Sequence, residues 1–160
     1  MSFRIDEVRL PDGKTAIREY LDHPGAVAVV PILDDGRVLM VRQFRYPVGE
    51  MTWEVPAGKL TKGEKPEPCV LRELEEETGR KAGRVRKLIS YWPTSAFANE
   101  IIHIYVADKL TKGRMNPDED EFIDCRAWEL KRIYRQIEQG KIRDSKTLIA
   151  LLAYRQFGRR

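Results

Sequence analysis

The chain has 160 residues, of which 42% are hydrophobic and 34% charged, and its formal net charge is +4. This length suits a single domain with a hydrophobic core over residues 1–160, and the composition excludes disordered, fibrous and disulfide-rich proteins. The longest apolar stretch, 26–33, contains Pro31 and is far shorter than the ~20 residues that span a bilayer, and the N-terminus lacks an apolar signal core, so we expect a cytoplasmic protein with no membrane partner.

The first half of the chain predicts strands joined by tight turns. A strand over 3–10 and a second that ends near Tyr20 flank the turn Pro11-Asp12-Gly13-Lys14, which predicts an N-terminal antiparallel hairpin. A buried strand over 26–33 and another over 37–46 follow, separated by an Asp-Asp-Gly turn. We therefore expect a meander of hairpins in this half.

The second half predicts helices both between and after strands. Pro66 and Pro68 suit a first helical turn and Gly79 suits a left-handed cap, which predicts a helix over 66–78. The later predicted elements are strands near 85–91, 101–107 and 122–128, a helix ending at Gly140 and a helix beginning at the N-cap Asp144. This order indicates an α/β fold in which helices cover a mixed sheet.

The helix over 66–78 is unusually acidic. Residues three and four apart share a helix face, so Glu73, Glu76 and Glu77 should converge. The aliphatic residues expected to pack inward are Val70, Leu71 and Leu74. Like charges at this spacing destabilise a helix by about 0.2–0.5 kcal/mol per pair, and a hard divalent ion such as Mg²⁺ would remove that repulsion. From residue types alone, a solvated Glu-rich helix stays the alternative.

The stretch 58–80 resembles the Nudix box, GX5EX7REUXEEXGU, in which U is a bulky aliphatic residue. Its fixed positions are occupied by Gly58, Glu64, Arg72, Glu73, Leu74, Glu76, Glu77 and Gly79. Arg80 stands where an aliphatic residue is usual, a departure that concerns packing rather than chemistry. The resemblance implies a Nudix-type α/β/α sandwich with a mixed central sheet and a Mg²⁺-dependent pyrophosphatase, with Mn²⁺ as an alternative ion.

The resemblance assigns roles to the matching residues. The metal ligands that it implies are Glu73, Glu76, Glu77 and the backbone carbonyl of Ala57. Arg72 is expected to pair with Glu64 and hold the glutamate face in register, and we count Arg72 and Glu76 among the catalytic residues. Gly58 would let the backbone bend so that the preceding carbonyl points at the metal. For Glu64, a simple carboxylate near a helix N-terminus is the alternative.

Segments outside the box resemble the ADP-ribose pyrophosphatase branch of the family. They are 10–13, 23–27, 43–46, 53–58, 96–107 and 140–147. The resemblance implies hydrolysis of ADP-ribose, and of other nucleoside diphosphate sugars, to AMP or another nucleoside monophosphate and a sugar phosphate. It also implies a homodimer in which the N-terminal strands, about 1–22, cross to or pack on the partner.

Substrate contacts and a catalytic base are expected outside the box. The candidate substrate contacts are Arg45 for phosphate or ribose, Tyr46 or Trp53 for base stacking, and Glu100 and Arg18 with less support. For the two aromatic residues, ordinary strand packing is the alternative. The loop 118–121 corresponds to a region that supplies a catalytic glutamate in this branch, and we favour Glu121, then Glu119, over a merely solvated loop.

Other functions and other reactive residues carry less weight. One alternative is a Nudix pyrophosphatase for another substrate: GDP-mannose, a dinucleoside polyphosphate or an oxidised nucleotide. The other is a sensor that binds ADP-ribose without cleaving it. Nucleic acid binding is disfavoured because the basic stretch 79–87 lacks interleaved aromatic residues. Cys69 and Cys125 stand singly, and His23 and His103 are expected to have packing or surface roles.

Overall fold

A computed structural model describes residues 1–117 and 121–158, so the predicted residue Glu119 lies outside the described part of the chain. The strands are β1 (Ser2–Arg9), β2 (Thr15–Asp22), β3 (Ala26–Pro31), β4 (Val38–Arg45), β5 (Glu50–Glu54), β6 (Ala57–Lys59), β7 (Arg80–Lys81), β8 (Arg84–Tyr91), β9 (Ile102–Asp108), β10 (Thr111–Lys112) and β11 (Asp124–Trp128). The helices are α1 (Pro66–Thr78), α2 (Leu130–Glu138) and α3 (Ser145–Phe157).

A mixed four-stranded sheet forms the centre of the fold. Its strand order is β6-β3-β9-β8, in which β3 and β9 run parallel and the other neighbours are antiparallel. All six residues of β3 are buried, as expected for an apolar run covered on both faces. The strands β11, β4 and β5 form a second, antiparallel sheet.

Helices cover the central sheet on both faces. On one face, Val27 and Val29 of β3 join a buried cluster with Val70 and Leu74 of α1. On the other face, residues of β3 and β9 join a cluster with α3; its members include Ala28, Val30, Ile104, Ala150 and Leu151. This arrangement confirms the predicted α/β sandwich with a mixed central sheet.

The local signals for helix ends were accurate. The helix α1 spans the predicted residues and ends at Gly79, which has a φ of +65° and donates its backbone N–H to Glu75 O at 2.8 Å. Asp144 caps α3 and accepts a hydrogen bond from the backbone N–H of Thr147 at 2.9 Å. One expectation for α1 was wrong, because Leu71 is exposed rather than packed inward.

The predicted meander of hairpins is wrong between β3 and β4. These strands belong to different sheets and share only an isolated bridge, Ile32 to Val38. The fully buried β3 needs a hydrogen-bonding neighbour on each side, and it finds them in β6 and β9. The short strands β5 and β6 also escaped the sequence analysis, which placed a loop after residue 58.

The N-terminal hairpin is confirmed. β1 and β2 pair in antiparallel register from Ser2 opposite Asp22 to Arg9 opposite Thr15. The end of β2 is tied to the rest of the chain because the Asn99 side-chain amide donates to Asp22 Oδ1 at 2.7 Å. Within the described residues, no helix is long and apolar enough to cross a membrane.

Candidate active site

A cleft of about 910 Å³ brings together residues from distant parts of the chain. Among its lining residues are eight of the predicted site residues: Arg45, Ala57, Gly58, Arg72, Glu73, Glu76, Glu100 and Glu121. Four further lining residues, His23, Pro93, Asp144 and Lys146, come from segments on either side of the acidic helix. The tertiary structure therefore brings α1 to the same cleft as Lys146, which lies 68 positions beyond the end of the helix.

Gly58 and Glu73 are in such close contact that only glycine fits. A Cβ atom on Gly58 would lie 1.9 Å from Glu73 Cδ and from Glu73 Oε1. The carboxylate of Glu73 therefore occupies the space that any other side chain at position 58 would fill. The glycine permits a close approach of strand β6 to the acidic face of α1, in addition to any bending of the backbone.

Glu77 is the most deeply buried of the box carboxylates, with an exposed fraction of 1%. Its Oε2 accepts a hydrogen bond from the backbone N–H of Ala57 at 3.2 Å. Burial, together with the charges of Glu73 and Glu121, raises the pKa of Glu77 well above its ordinary value, although the Ala57 hydrogen bond opposes that shift. A nearby cation would therefore stabilise the ionised form of Glu77.

Glu73 has a related environment at the cleft surface. Burial raises the pKa of its carboxyl group, the charge of Arg72 opposes that shift, and the charges of Glu76 and Glu121 add to it. Neighbouring negative charges thus add to the effect of burial on both Glu73 and Glu77. This electrostatic arrangement is the one that a divalent cation would stabilise.

Arg72 connects the acidic residues of the site. Its Nε lies 3.2 Å from Glu64 Oε1, and its Nη1 lies 2.8 Å from both Glu73 Oε1 and Glu76 Oε2. The predicted pair with Glu64 is present, and its hydrogen bonds, with those from Thr61, lower the pKa of Glu64 to about 2. Arg72 therefore fixes the carboxylates of Glu64, Glu73 and Glu76 relative to one another.

The predicted ligands offer only oxygen atoms, which is the donor set that a hard divalent ion prefers. Within 1–117 and 121–158, no group of three or more His, Cys, Asp or Glu side chains is arranged so that it could hold a metal ion by itself, and this includes Glu73, Glu76 and Glu77. A divalent ion at Glu73 and Glu77 would accordingly also take ligands from backbone oxygen, water or a substrate phosphate. Mg²⁺ commonly binds in this way, with one or two carboxylates.

Two candidate glutamates from other segments line the same cleft as the acidic helix. Glu121 lines the cleft and is close enough for its charge to raise the pKa of both Glu73 and Glu77. Glu100 also lines the cleft, and its Oε1 lies 3.6 Å from His23 Nδ1. His23 is buried, as a packing role requires, but the sequence analysis did not foresee its place in the cleft wall.

Arg45 lines the cleft and is held by a residue that the sequence analysis missed. Its Nε and Nη2 donate to the two oxygens of Glu54 at 2.8 and 2.6 Å. Glu54 is only 1% exposed and also pairs with Lys146, which belongs to the cleft lining. Burial raises the pKa of Glu54, but the hydrogen bonds from Arg45 and the charge of Lys146 outweigh burial and lower it to about 2.

The three remaining candidate substrate contacts are not among the residues that line the cleft. The Trp53 ring packs against Trp128 with a centroid distance of 4.6 Å, and Tyr46 is 87% exposed in a 3₁₀ turn. Arg18 lies on the exposed hairpin opposite Asp6. Within this chain, these three side chains are not brought together with the acidic helix.

Comparison with known proteins identifies similar chains. The NUDIX domain family model matches residues 22–151. The chain is 42% identical over 149 residues to the ADP-ribose pyrophosphatase of Bacillus subtilis (strain 168), with 92% of this chain and 80% of that protein covered. It is 45% identical over 153 residues to the methanol dehydrogenase activator of Bacillus methanolicus, with 94% and 83% covered.

A solved structure shows the same fold at lower sequence identity. The crystal structure of an ADP compounds hydrolase superposes with a TM-score of 0.84 and 22% identity, covering 98% of this chain and 86% of that chain. The family match spans most of the chain and includes the whole acidic helix together with Gly58. The chain therefore belongs to the Nudix hydrolase family.

Proposed function

We propose that this Nudix hydrolase cleaves the diphosphate of ADP-ribose, and of other nucleoside diphosphate sugars, in a Mg²⁺-dependent reaction, and that 1–160 acts as one catalytic domain. The observation that carries the proposal is the cleft in which the carboxylates of α1 face Arg45 and Glu121. The Bacillus subtilis relative, an ADP-ribose pyrophosphatase, supports the choice of substrate. In the reaction, water attacks one phosphorus, the bond to the bridging oxygen breaks, and the products are AMP and ribose 5-phosphate.

The acidic end of the cleft would hold the metal ion. Glu73 and Glu77, with Glu76 and the Ala57 carbonyl, are the proposed ligands, and Mn²⁺ could replace Mg²⁺. A bound divalent ion would polarise the phosphate and lower the pKa of a coordinated water. Arg72 would keep the ligands in place through its contacts at 2.8 Å with Glu73 and Glu76.

Residues from outside the helix would act on the substrate. Arg45 offers a fixed positive charge at the cleft wall, which suits a phosphate oxygen. Glu121, the favoured candidate for the catalytic base, would accept the proton of the attacking water. Glu100 would contact the substrate from the segment just before β9, where it lines the same cleft.

We also propose a homodimer built on the N-terminal hairpin. Paired residues of an antiparallel hairpin point to the same face, so Phe3, Ile5 and Ile17 lie together on one side. All three are exposed, and the exposed fraction of Phe3 is 87%. A second copy of the chain covering this face would remove that apolar surface from water.

Product analysis tests the substrate. The protein is incubated with Mg²⁺ and ADP-ribose, ADP-glucose, GDP-mannose, a diadenosine polyphosphate or dGTP, with EDTA as the control. We expect AMP and ribose 5-phosphate from ADP-ribose, and no products with EDTA. Turnover of GDP-mannose, the diadenosine compound or dGTP, with none of ADP-ribose, would show that the substrate belongs to another class. Binding of ADP-ribose without turnover would indicate a sensor.

A second candidate function is activation of an alcohol dehydrogenase. It is favoured by the 45% identity to the methanol dehydrogenase activator, which is matched over 83% of its length. A methanol dehydrogenase assay with and without this protein tests it. Higher dehydrogenase activity with the wild type, but not with Glu77→Gln, would tie activation to the hydrolytic site.

A further inference from the structure

Glu54 is a buried acid that joins two cations of the cleft wall without lining the cleft itself. Arg45 and Lys146 both contribute to the lining, whereas Glu54 lies behind them with an exposed fraction of 1%. Its Oε1 also accepts a hydrogen bond from Thr52 Oγ1 at 2.5 Å. Both carboxylate oxygens are thus occupied by donors that come from different directions.

The contact with Arg45 leaves part of the guanidinium available. Nε and Nη2 of Arg45 are engaged by Glu54, while Nη1 has no hydrogen-bond partner among the residues that the structure describes. Arg45 is 39% exposed on the cleft side. A bidentate contact to a buried carboxylate fixes both the position and the plane of a guanidinium group, so the direction of Nη1 is fixed as well.

The other end of the bridge is anchored to helix α3. Lys146 Nζ contacts Asp144 Oδ1 at 2.9 Å in addition to Glu54. Next to this contact, the backbone N–H of Val55 donates to Thr147 Oγ1 at 3.0 Å. The start of α3 and the end of β5 are therefore held together on both sides of Glu54.

We propose that Glu54 is a positioning residue for substrate recognition, which directs the free Nη1 of Arg45 toward the diphosphate of a nucleotide substrate. Lys146 completes the bridge from the α3 side. The inference rests on the proposed function, because it assigns the diphosphate as the group that Arg45 recognises. A purely structural ion pair would stabilise the fold without affecting how Arg45 binds an anion.

A double-mutant cycle separates these two roles. The four proteins are the wild type, Arg45→Lys, Glu54→Gln and the double variant, and kcat and KM for ADP-ribose are measured with Mg²⁺. We expect Glu54→Gln to lower kcat/KM about 10–100-fold, since a small misplacement of a binding group has effects of this size. In the Arg45→Lys background the same substitution should change kcat/KM by less than about 3-fold, because lysine cannot make the bidentate contact.

Two results would overturn the proposal. One is a Glu54→Gln protein with kcat/KM within about 2-fold of the wild type, and the other is a double variant whose losses multiply. Glu50→Gln is the matched control, because Glu50 lies on the same strand and pairs with Arg143, and neither residue lines the cleft. If Glu54→Gln does not fold, Thr52→Val, which removes one hydrogen bond to Glu54, takes its place with a several-fold loss expected.

A binding measurement keeps the positioning role separate from the choice of substrate. The dissociation constant of inorganic diphosphate, with Mg²⁺ present, is measured by calorimetry for the same four proteins. It should rise about 10-fold or more in Glu54→Gln and not rise further when Arg45 is already lysine. Absence of ADP-ribose turnover by the wild type would reject the proposed substrate, whereas independent effects on diphosphate binding would reject the role of Glu54.

Discussion

The backbone N–H of Ala57 donates to the carboxylate of Glu77 at 3.2 Å, which joins the residue before the first glycine of the box to the last glutamate of the box. The contact spans 20 positions of sequence and lies where almost no solvent reaches Glu77. It holds strand β6 against helix α1, so the buried carboxylate of Glu77 lies directly behind Ala57, which lines the cleft.

Replacing Glu77 with glutamine should abolish most turnover without unfolding the protein. Burial and the charges of Glu73 and Glu121 raise the pKa of Glu77, so removing its charge relieves repulsion when no metal is bound. We expect kcat to fall about 100-fold or more, because a metal ligand is lost. Melting curves with and without Mg²⁺ provide the check. Mg²⁺ should raise the melting temperature of the wild type only, and an equal rise in both proteins would reject Glu77 as a ligand.

Replacing Gly58 with alanine should displace the Glu73 carboxylate. The added Cβ would lie 1.9 Å from Glu73 Cδ, so the side chain must move. We expect Mg²⁺ affinity, measured by calorimetry, to fall about 10–100-fold. Gly36→Ala is the control, because Gly36 has a φ of +81° with open space around it and should cost about 1 kcal/mol of stability without changing Mg²⁺ binding. Unchanged Mg²⁺ affinity in Gly58→Ala would separate Glu73 from the metal site.

Replacing Glu121 with glutamine should slow the chemical step. Its proposed role is to accept a proton. Loss of a general base typically lowers the rate by about 10²–10⁴-fold. Single-turnover rates with ADP-ribose should show this loss, while Mg²⁺ binding stays close to that of the wild type. A full-speed variant would transfer the role to Glu119 or Glu100, which the corresponding glutamine variants then test.

The ion pairs of Glu54 should make the free energy of unfolding depend on pH. The pKa of Glu54 is about 2 in the folded protein, against an ordinary value of 4.5. The unfolded chain therefore takes up the proton first, so the stabilisation is complete above about pH 4.5 and is lost as the pH falls toward 2. The full contribution is about 3 kcal/mol, and roughly 2 kcal/mol of it should be gone at pH 3.

Urea unfolding at pH 6 and pH 3 measures this contribution. The stability difference between the wild type and Glu54→Gln should be larger at pH 6. Titration of other groups, such as Glu64, occurs in both proteins and cancels in that difference. An equal difference at the two pH values would show that the charge of Glu54 does not stabilise the fold.

The apolar hairpin face should hold two copies of the chain together. Sedimentation of the wild type is expected to give a dimer, and Phe3→Asp is expected to shift it to a monomer, since it places a charge in the proposed interface. Asp6→Asn, on the opposite face of the same hairpin, should leave the dimer intact. A wild type that sediments as a monomer at micromolar concentration would contradict the proposed dimer.

The sequence by itself determined the features that depend on near neighbours along the chain. The helix over 66–78 follows from Pro66 at its start and Gly79 at its end, and the acidic face follows from residues three and four apart. These signals act over one or two helical turns, so no other part of the chain is needed to interpret them. The family assignment rests on the same short-range spacing, and the comparisons confirmed it.

Only the tertiary structure decided which residues complete the cleft. Glu54 and Lys146 are 92 positions apart, and nothing in either local segment indicates that the carboxylate is buried or that the lysine is its partner. β3 and β4 belong to different sheets for the same reason. Burial of both faces of a strand, rather than the turn next to it, decides which strands it pairs with. Burial and long-range pairing are properties of the whole folded chain, and they place Arg45 opposite the acidic helix.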